Sequence, residues 1–241
     1  RPGAGCAIDA DRTMRQDTTS DGETPTDERQ SGADGRPPSA RTIEASAPAE
    51  FGAVQAWWGD GKGKTTAALG MGVRAAGHGY RVHLLQFMKG GTGSVEDVRG
   101  EYNAIAAIPG FTYEAEGQYG WHRGRDDADG HAERARAAYE RAGDILSASD
   151  VDGALPLDAP PDEGVHMLVL DEILYAVDMD LLSPDDVLTL IDEKPEPLEL
   201  VLTGSHEKPA YLYDHADLVS RVEKERHPFD AGQAARKGTE F

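Results

Sequence analysis

Cysteine is almost absent from this chain of 241 residues, which has a single one, Cys6. One thiol cannot form a disulfide framework or a thiolate metal site within the chain. Long apolar runs are also lacking, and none approaches the length that spans a membrane. The first residues do not show the basic and then apolar order of a signal peptide. We therefore predict a cytoplasmic protein that makes no use of a membrane.

Positive charge is scarce as well. The chain has 24 Lys and Arg against 44 Asp and Glu, a formal net charge of −20 and a pI near 4.7. Because a nucleic-acid groove is built chiefly from clustered Lys and Arg, we do not expect a nucleic-acid partner. A solvated acidic surface suits a cytoplasm of high salt, where ions screen the self-repulsion. The composition therefore predicts a halophilic source.

Large apolar side chains are nearly missing from residues 1–45, which are rich in Asp, Thr, Ser, Gly and Pro. Such a segment cannot bury enough apolar surface to offset the entropy lost on ordering, so we predict a disordered acidic and polar tail. The remaining residues, 46–241, have the length of a single domain with one core.

From residue 51 onward, short apolar runs alternate with amphipathic stretches. The strand-like segments are 51–58, 80–87, 165–171, 198–204 and 217–222. The helix-like segments are about 65–77, 128–149, 172–178, 184–193 and 208–216. Buried strands separated by helices predict an α/β fold, with a mostly parallel sheet and helices on both faces. Ligands of such sheets bind at the carboxyl ends of strands, where we find 59–66, Asp171-Glu172 and Thr203-Gly204.

The stretch WWGDGKGKTT joins a predicted strand to a predicted helix. The helix amino terminus offers N–H groups to an anion, Lys64 adds charge, and three glycines allow close backbone approach: Gly59, Gly61 and Gly63. The usual phosphate loop has Gly, four residues and then Gly-Lys-Ser/Thr. Here Trp58 stands at the place of the first glycine, so the loop is one residue shorter. The alternative interpretation is a glycine-rich turn with solvated lysines.

Two groups of oxygen-bearing side chains are expected near this loop, one at its end and one at the end of another strand. Thr65 and Thr66 open the predicted helix, and Asp171 and Glu172 close the apolar strand HMLVLD. Mg²⁺ prefers such oxygen ligands, held directly or through water. The alternative interpretation is a strand that ends in two solvated acids.

Four separated motifs extend this pattern. They are GDGKGKTTAALGMGVRAAGHGYRVHLLQFMKG (59–90), PGFTYE (109–114), MLVLDEILYAV (167–177) and HPFDAGQAARKGTEF (227–241). In this order, from about residue 53 to the end, they resemble the P-loop type of ATP:corrinoid adenosyltransferases. The resemblance implies a RecA-like P-loop domain whose substrates are ATP and a reduced corrinoid, with Mg²⁺ as cofactor. The implied reaction moves the 5′-deoxyadenosyl group of ATP to cobalt(I) and releases triphosphate.

The resemblance also implies roles for residues in the loop and beyond it. Lys64 neutralises the triphosphate, Thr65 with Glu172 and Asp171 holds Mg²⁺, and Arg74 on the following helix contacts a phosphate. The residues that cradle the triphosphate are Gly59, Asp60, Gly61, Lys62, Gly63, Lys64, Thr65 and Thr66. Asp60 stands where the family commonly has Asn.

An aromatic pair is the expected corrinoid contact. By resemblance, Phe111 and Tyr113 crowd out the lower ligand of cobalt(II), which makes the cobalt easier to reduce. Tyr113 replaces the tryptophan that is usual in the family. A second departure follows the strand that ends at Thr203, where Ser205 replaces an arginine, and Lys208 is the expected substitute cation.

The resemblance further implies an electron donor such as a reduced flavoprotein, and it leaves a homodimer open. Two other functions stay open at this point. One is a phosphoryl-transfer ATPase or kinase of the P-loop type, and the other is a non-catalytic carrier of nucleotide or corrinoid.

Overall fold

The computed structural model of the protein describes residues 41–88, 100–116, 128–233, 236 and 238–239. From residue 42 onward they belong to one compact unit, Thr42–Phe241. The segment predicted to be a disordered tail lies outside the described residues as far as residue 40, so that prediction stands as made. In the part of the chain that is described, no helix has both the length and the apolar character needed to cross a membrane.

Strands and helices alternate along the chain, as the sequence pattern predicts. The strands are β1 (Val54–Trp58), β2 (Val82–Gln86), β3 (Phe111–Ala115), β4 (Met167–Asp171), β5 (Glu199–Thr203) and β6 (Leu218–Arg221). The α-helices are α1 (Lys64–Gly77), α2 (Gly100–Ala106), α3 (Ala128–Ala148), α4 (Ile173–Asp178) and α5 (Pro184–Asp192). Short 3₁₀ turns occur at Pro161–Glu163, Ala210–Leu212 and Pro228–Ala231.

The six described strands form one sheet in the order β3-β2-β4-β5-β1-β6. Every neighbouring pair is parallel, which confirms the predicted α/β fold class. All residues of β2, β4 and β5 are buried, as expected when helices cover both faces of a parallel sheet. Strand β5 separates β1 from β4, so the carboxyl ends of these three strands lie side by side.

Two apolar clusters lie on the two faces of the sheet. In β4, Leu168 and Leu170 pack with residues of α3, α4 and α5, whereas Met167 and Val169 pack with residues of α1 and α2. Full burial of one such side chain contributes roughly 1.5–3 kcal/mol to folding. The cluster around Met167 and Val169 therefore anchors α1 against one face of the sheet, and with it the end of the loop that precedes this helix.

The local structure differs from the prediction in three places, one of which is α2, a helix that the sequence pattern did not predict. The helix expected at 208–216 is wrong: the chain makes only the 3₁₀ turn, in which Leu212 N donates to Pro209 O at 3.0 Å. Pro209 lacks an N–H, and β6 begins at Leu218, so there is little room for a longer helix. Strand β3 was not predicted because two of its five residues, Thr112 and Glu114, are polar. In the fold they pair with His83 and Arg141 on one face of the sheet.

Candidate active site

The loop between β1 and α1 is held in shape by the segment that follows β6. Gly59 has φ 118°, and a Cβ placed there would lie 2.3 Å from the carbonyl oxygen of Val222. Gly61 N donates to that same oxygen at 2.8 Å, and Val222 N donates to Trp58 O at 2.7 Å. The glycines are therefore required by a neighbouring backbone as well as by the suitability of the loop for an anion.

Lys64 places its ammonium group inside this loop. Its Nζ donates to Gly59 O at 2.6 Å and to Gly61 O at 3.1 Å. Helix α1 begins at the same residue, with Gly63 as its N-cap at φ 117°, no capping side chain and no acidic residue in the first turn. A lysine charge beside the uncapped amino end of a helix of 14 residues is an arrangement that favours an anion.

Asp171, at the end of β4, is fully buried and accepts hydrogen bonds from the side chains of three residues in the described part of the chain. Its Oδ1 accepts from Thr65 Oγ1 at 2.9 Å and from Thr203 Oγ1 at 2.5 Å. Its Oδ2 accepts from Gln86 Nε2 at 2.7 Å. The carboxylate thus joins the first turn of α1 to the ends of β2 and β5, and these bonds compensate the loss of water.

Glu172 follows directly and has the left-handed backbone conformation, φ 67°, as the N-cap of α4. Its N–H donates to Thr203 Oγ1 at 3.1 Å. A Cβ at Gly204 would lie 3.2 Å from Glu172 Cα and 2.6 Å from Tyr175 N, so the end of β5 packs closely against this turn. Backbone strain of about 1–3 kcal/mol at a non-glycine residue is typical of functional sites.

Asp60 does not point into the loop. Its Oδ1 accepts a hydrogen bond from Lys224 N at 3.3 Å, on the segment after β6. This contact directs the carboxylate toward a backbone donor of that segment. Lys62 and Thr66, the other two loop residues of the prediction, are exposed.

Arg74 is not brought to the loop. It lies in the last turn of α1, ten residues and about 15 Å along the helix axis beyond Lys64. There it lines a cavity of about 180 Å³ together with Met167 and Glu199, the first residues of β4 and β5. This is the amino edge of the sheet, so the expected phosphate contact of Arg74 finds no support in the fold.

Lys208 also has a different setting from the one expected. Its Nζ lies 4.2 Å from the centre of the Tyr213 ring, a cation–π contact. Ser205, which stands in the place of an arginine, is buried and structural: its carbonyl accepts from Gly59 N at 2.9 Å. Its hydroxyl donates to Asp178 Oδ1 at 3.0 Å. Ser205 therefore ties the loop to the end of α4.

The two aromatic residues of the predicted corrinoid contact differ in burial. Phe111 is 3% exposed and lies under α1, where a Cβ at Gly72 would come within 2.6 Å of its ring. That placement is the one expected of a core residue. Tyr113 is 37% exposed, two residues nearer the carboxyl edge, and its ring stacks on Tyr102 with centroids 4.5 Å apart.

Two residues of this site, Gln86 and Tyr102, are absent from the sequence prediction, and Thr203 is predicted only as part of a strand-end segment. Gln86 and Thr203 carried a signal, since each is a polar residue at the carboxyl end of an otherwise apolar strand. Tyr102 carried none, because its hydroxyl reaches Gln86 only after α2 has packed on the sheet.

A buried histidine lies on the opposite face of β2. His83 Nδ1 is 2.8 Å from Thr112 Oγ1, and burial lowers the pKa of His83 to about 4, partly opposed by the charge of Glu114. The hydrogen-bonded guanidinium of Arg141 holds the pKa of Glu114 below its usual value. His83 is therefore neutral at physiological pH and belongs to the packing of β2, β3 and α3.

The parallel sheet, the loop before α1 and the buried Asp171 define an α/β protein with a glycine-rich loop at the carboxyl edge of its sheet. A sequence model of the ATP:corrinoid adenosyltransferase family BtuR/CobO/CobP matches residues 50–241. The chain belongs to this family, and its fold is that of the family's P-loop domain. Its reaction is the transfer of the adenosyl group from ATP to the cobalt of a reduced corrinoid.

Relatives of known name agree with this assignment. A corrinoid adenosyltransferase of Pseudomonas aeruginosa is 34% identical over 202 residues, which are 82% of this chain and 87% of the relative. One from Sinorhizobium sp is 32% identical over 239 residues, 95% of this chain and all of the relative. One from Escherichia coli K12 is 31% identical over 204 residues, 82% and 89% of the two chains.

Proposed function

We propose that the loop from Gly59 to Thr66 holds the triphosphate of ATP as a leaving group. The observation that carries this proposal is the ammonium group of Lys64 inside the loop, next to the uncapped amino end of α1. In the reaction, cobalt(I) of the corrinoid donates an electron pair to the ribose 5′ carbon. A cobalt–carbon bond forms, the bond from carbon to the phosphate oxygen breaks, and triphosphate leaves with that pair.

The protein's share of this chemistry is electrostatic stabilisation and alignment. A cobalt(I) nucleophile carries no proton, so the step needs no general base. The loop N–H groups and Lys64 stabilise the charge that develops on triphosphate. Phosphoryl transfer, by contrast, would attack the γ-phosphorus and yield ADP, so the products distinguish the two functions.

We propose that Mg²⁺ binds beside the triphosphate. The donors present fit this ion: the hydroxyl of Thr65, the carboxylate of Glu172 and, behind Thr65, the carboxylate of Asp171. When bound, Mg²⁺ neutralises phosphate charge. Asp171 orients the Thr65 hydroxyl, and the turn at Glu172 is fixed by its bond to Thr203.

For the corrinoid, we propose that Tyr113 presents the contacting ring and that Phe111 supports β3 from the core. The exposure of Tyr113 and the burial of Phe111 support this division. Arg74 and Lys208 are left out of the proposed site, since Arg74 lies at the other edge of the sheet and Lys208 contacts the ring of Tyr213.

Products and a pair of lysine variants test the function. We expect the protein with ATP and reduced corrinoid to form triphosphate, and Lys64→Ala to lower turnover by about two orders of magnitude or more. Lys194→Ala is the matched control, because Lys194 also donates to backbone carbonyls, of Pro195 and Leu198, but away from the loop. ADP as the nucleotide product, or near-normal turnover of Lys64→Ala, refutes the proposal. Tight binding without turnover identifies a carrier.

We propose the location of the enzyme and its electron donor from the family and from the described fold. The family and the lack of a membrane-crossing helix among the described residues support a cytoplasmic enzyme, supplied with electrons by a partner such as a reduced flavoprotein. Reduction of bound cobalt(II) by a purified flavoprotein tests the donor. Light scattering tests the homodimer that the family resemblance leaves open.

The charge of −20 supports a halophilic source. Melting curves in molar and in low salt test this, and an unchanged midpoint refutes it.

A further inference from the structure

A chain of contacts runs from an exposed aromatic ring to a buried carboxylate. The ring of Tyr113 stacks on that of Tyr102, with an interplanar angle of 6°. The hydroxyl of Tyr102 donates to Gln86 Oε1. Gln86 Nε2 donates to Asp171 Oδ2 at 2.7 Å, and Asp171 Oδ1 accepts from Thr65. The two ends of this chain lie in the proposed corrinoid contact and the proposed metal site.

The middle of the chain is shielded from water, because Tyr102 is 5% exposed and Gln86 is fully buried. Burial makes the orientation of the Gln86 amide consequential. With Oε1 toward Tyr102, the amide presents its N–H to Asp171; in the flipped orientation it would set an oxygen against the carboxylate. The Tyr102 hydroxyl, as a donor, favours the first orientation and thereby the donor to Asp171.

We propose that Tyr102 is a positioning residue that links the aromatic corrinoid contact to the metal site. It acts through two separable interactions, the stack on Tyr113 and the hydrogen bond to Gln86. This inference rests on the proposed function, because it takes Tyr113 and Thr65 as parts of that site.

Two variants separate the interactions. Tyr102→Phe keeps the ring stack and removes the hydrogen bond, whereas Tyr102→Leu removes both. Tyr80→Phe is the matched control, because it removes a hydroxyl from an aromatic group with Phe51 and His166 near the amino edge of the sheet. Binding of Mn²⁺ to the protein in the presence of ATP, without corrinoid, is measured by equilibrium dialysis with the same ATP concentration on both sides, because ATP alone already binds Mn²⁺ in solution. The spectrum of added cob(II)alamin reports its coordination.

We expect Tyr102→Phe to weaken ATP-dependent Mn²⁺ binding about three- to tenfold, the effect of one lost hydrogen bond to a buried group. Its cob(II)alamin spectrum should match that of the unmodified protein. Tyr102→Leu should weaken Mn²⁺ binding as much and should also change the cob(II)alamin spectrum. Tyr80→Phe should leave both readouts unchanged.

Three results would overturn the inference: Mn²⁺ affinity of Tyr102→Phe within twofold of the unmodified protein, no ATP-dependent Mn²⁺ binding by the unmodified protein, or identical losses in both readouts for the two Tyr102 variants. The last result would mean that Tyr102 only packs. Failure of the proposed function is a separate observation, ADP in place of triphosphate as the product of the unmodified enzyme.

Discussion

Replacing Gly59 by alanine should destabilise the protein more than the same change at Gly63, in the same loop. The added methyl group would lie 2.3 Å from the carbonyl oxygen of Val222, a backbone atom that cannot rotate away. Gly63→Ala has a similar φ, 117° against 118°, but its methyl group would meet no described atom within 4 Å. The two changes therefore share the backbone strain and differ in the clash.

The magnitude follows from these contacts. An alanine at either φ costs about 1–2 kcal/mol in backbone strain. At Gly59 the clash also forces the Val222 segment away, which breaks the hydrogen bonds from Gly61 N to Val222 O and from Val222 N to Trp58 O. Each contributes about 1 kcal/mol. We therefore expect a loss of roughly 3–4 kcal/mol for Gly59→Ala and about 1–2 kcal/mol for Gly63→Ala.

Urea unfolding of the purified variants measures these free energies. Gly70→Ala completes the series, since Gly70 is exposed within α1 with open space around it. Alanine there should stabilise the helix by about 0.8–1 kcal/mol. If Gly59→Ala and Gly63→Ala lose the same stability within about 0.5 kcal/mol, the carbonyl of Val222 does not pack on the loop and the reasoning is refuted.

Two further predictions concern the core. The pKa of His83 is about 4 in the folded protein and 6.5 in a model peptide, so folding favours the neutral ring. The stability that this preference contributes to the folded protein is complete above pH 6.5 and is lost as the pH falls toward 4, by roughly 3 kcal/mol in total. His83→Gln should flatten the pH dependence of the unfolding free energy in that range, and an unchanged slope would contradict the assignment. Phe111→Ala should cost about 3–5 kcal/mol of stability and lower turnover alike from cobalt(I) and from cobalt(II). A loss confined to the assay that starts from cobalt(II) would instead support Phe111 as a direct corrinoid contact.

The placement of the site could be predicted because it depends on local patterns. Apolar runs of strand length ended at the loop and at Asp171, and parallel strands bring their carboxyl ends to one edge. The order of motifs then predicted the family, which the comparisons confirm. Lys64, Thr65 and Asp171 lie together for these reasons.

The prediction did less well where a side chain's direction decides its role. Arg74 shares a motif with the loop, yet the rise along α1 carries it to the other edge of the sheet. Phe111 and Tyr113 share a motif and a sheet face, but they differ in depth, so one packs under α1 and the other is exposed. Two residues of one sequence motif need not lie at the same site. Whether they do depends on how far the helix or strand between them extends.

By itself, the sequence determined the α/β fold class through its local periodicity, the family through the resemblance of its motifs, and the presence of a shortened glycine-rich loop. Only the tertiary structure decided what surrounds that loop. The backbone of Val222 requires a glycine at position 59, Lys224 N binds the carboxylate of Asp60, and the carbonyl of Ser205 accepts a hydrogen bond from the loop. These partners are more than 140 positions away in the chain, and hydropathy carries no information about which distant backbone group a residue will meet.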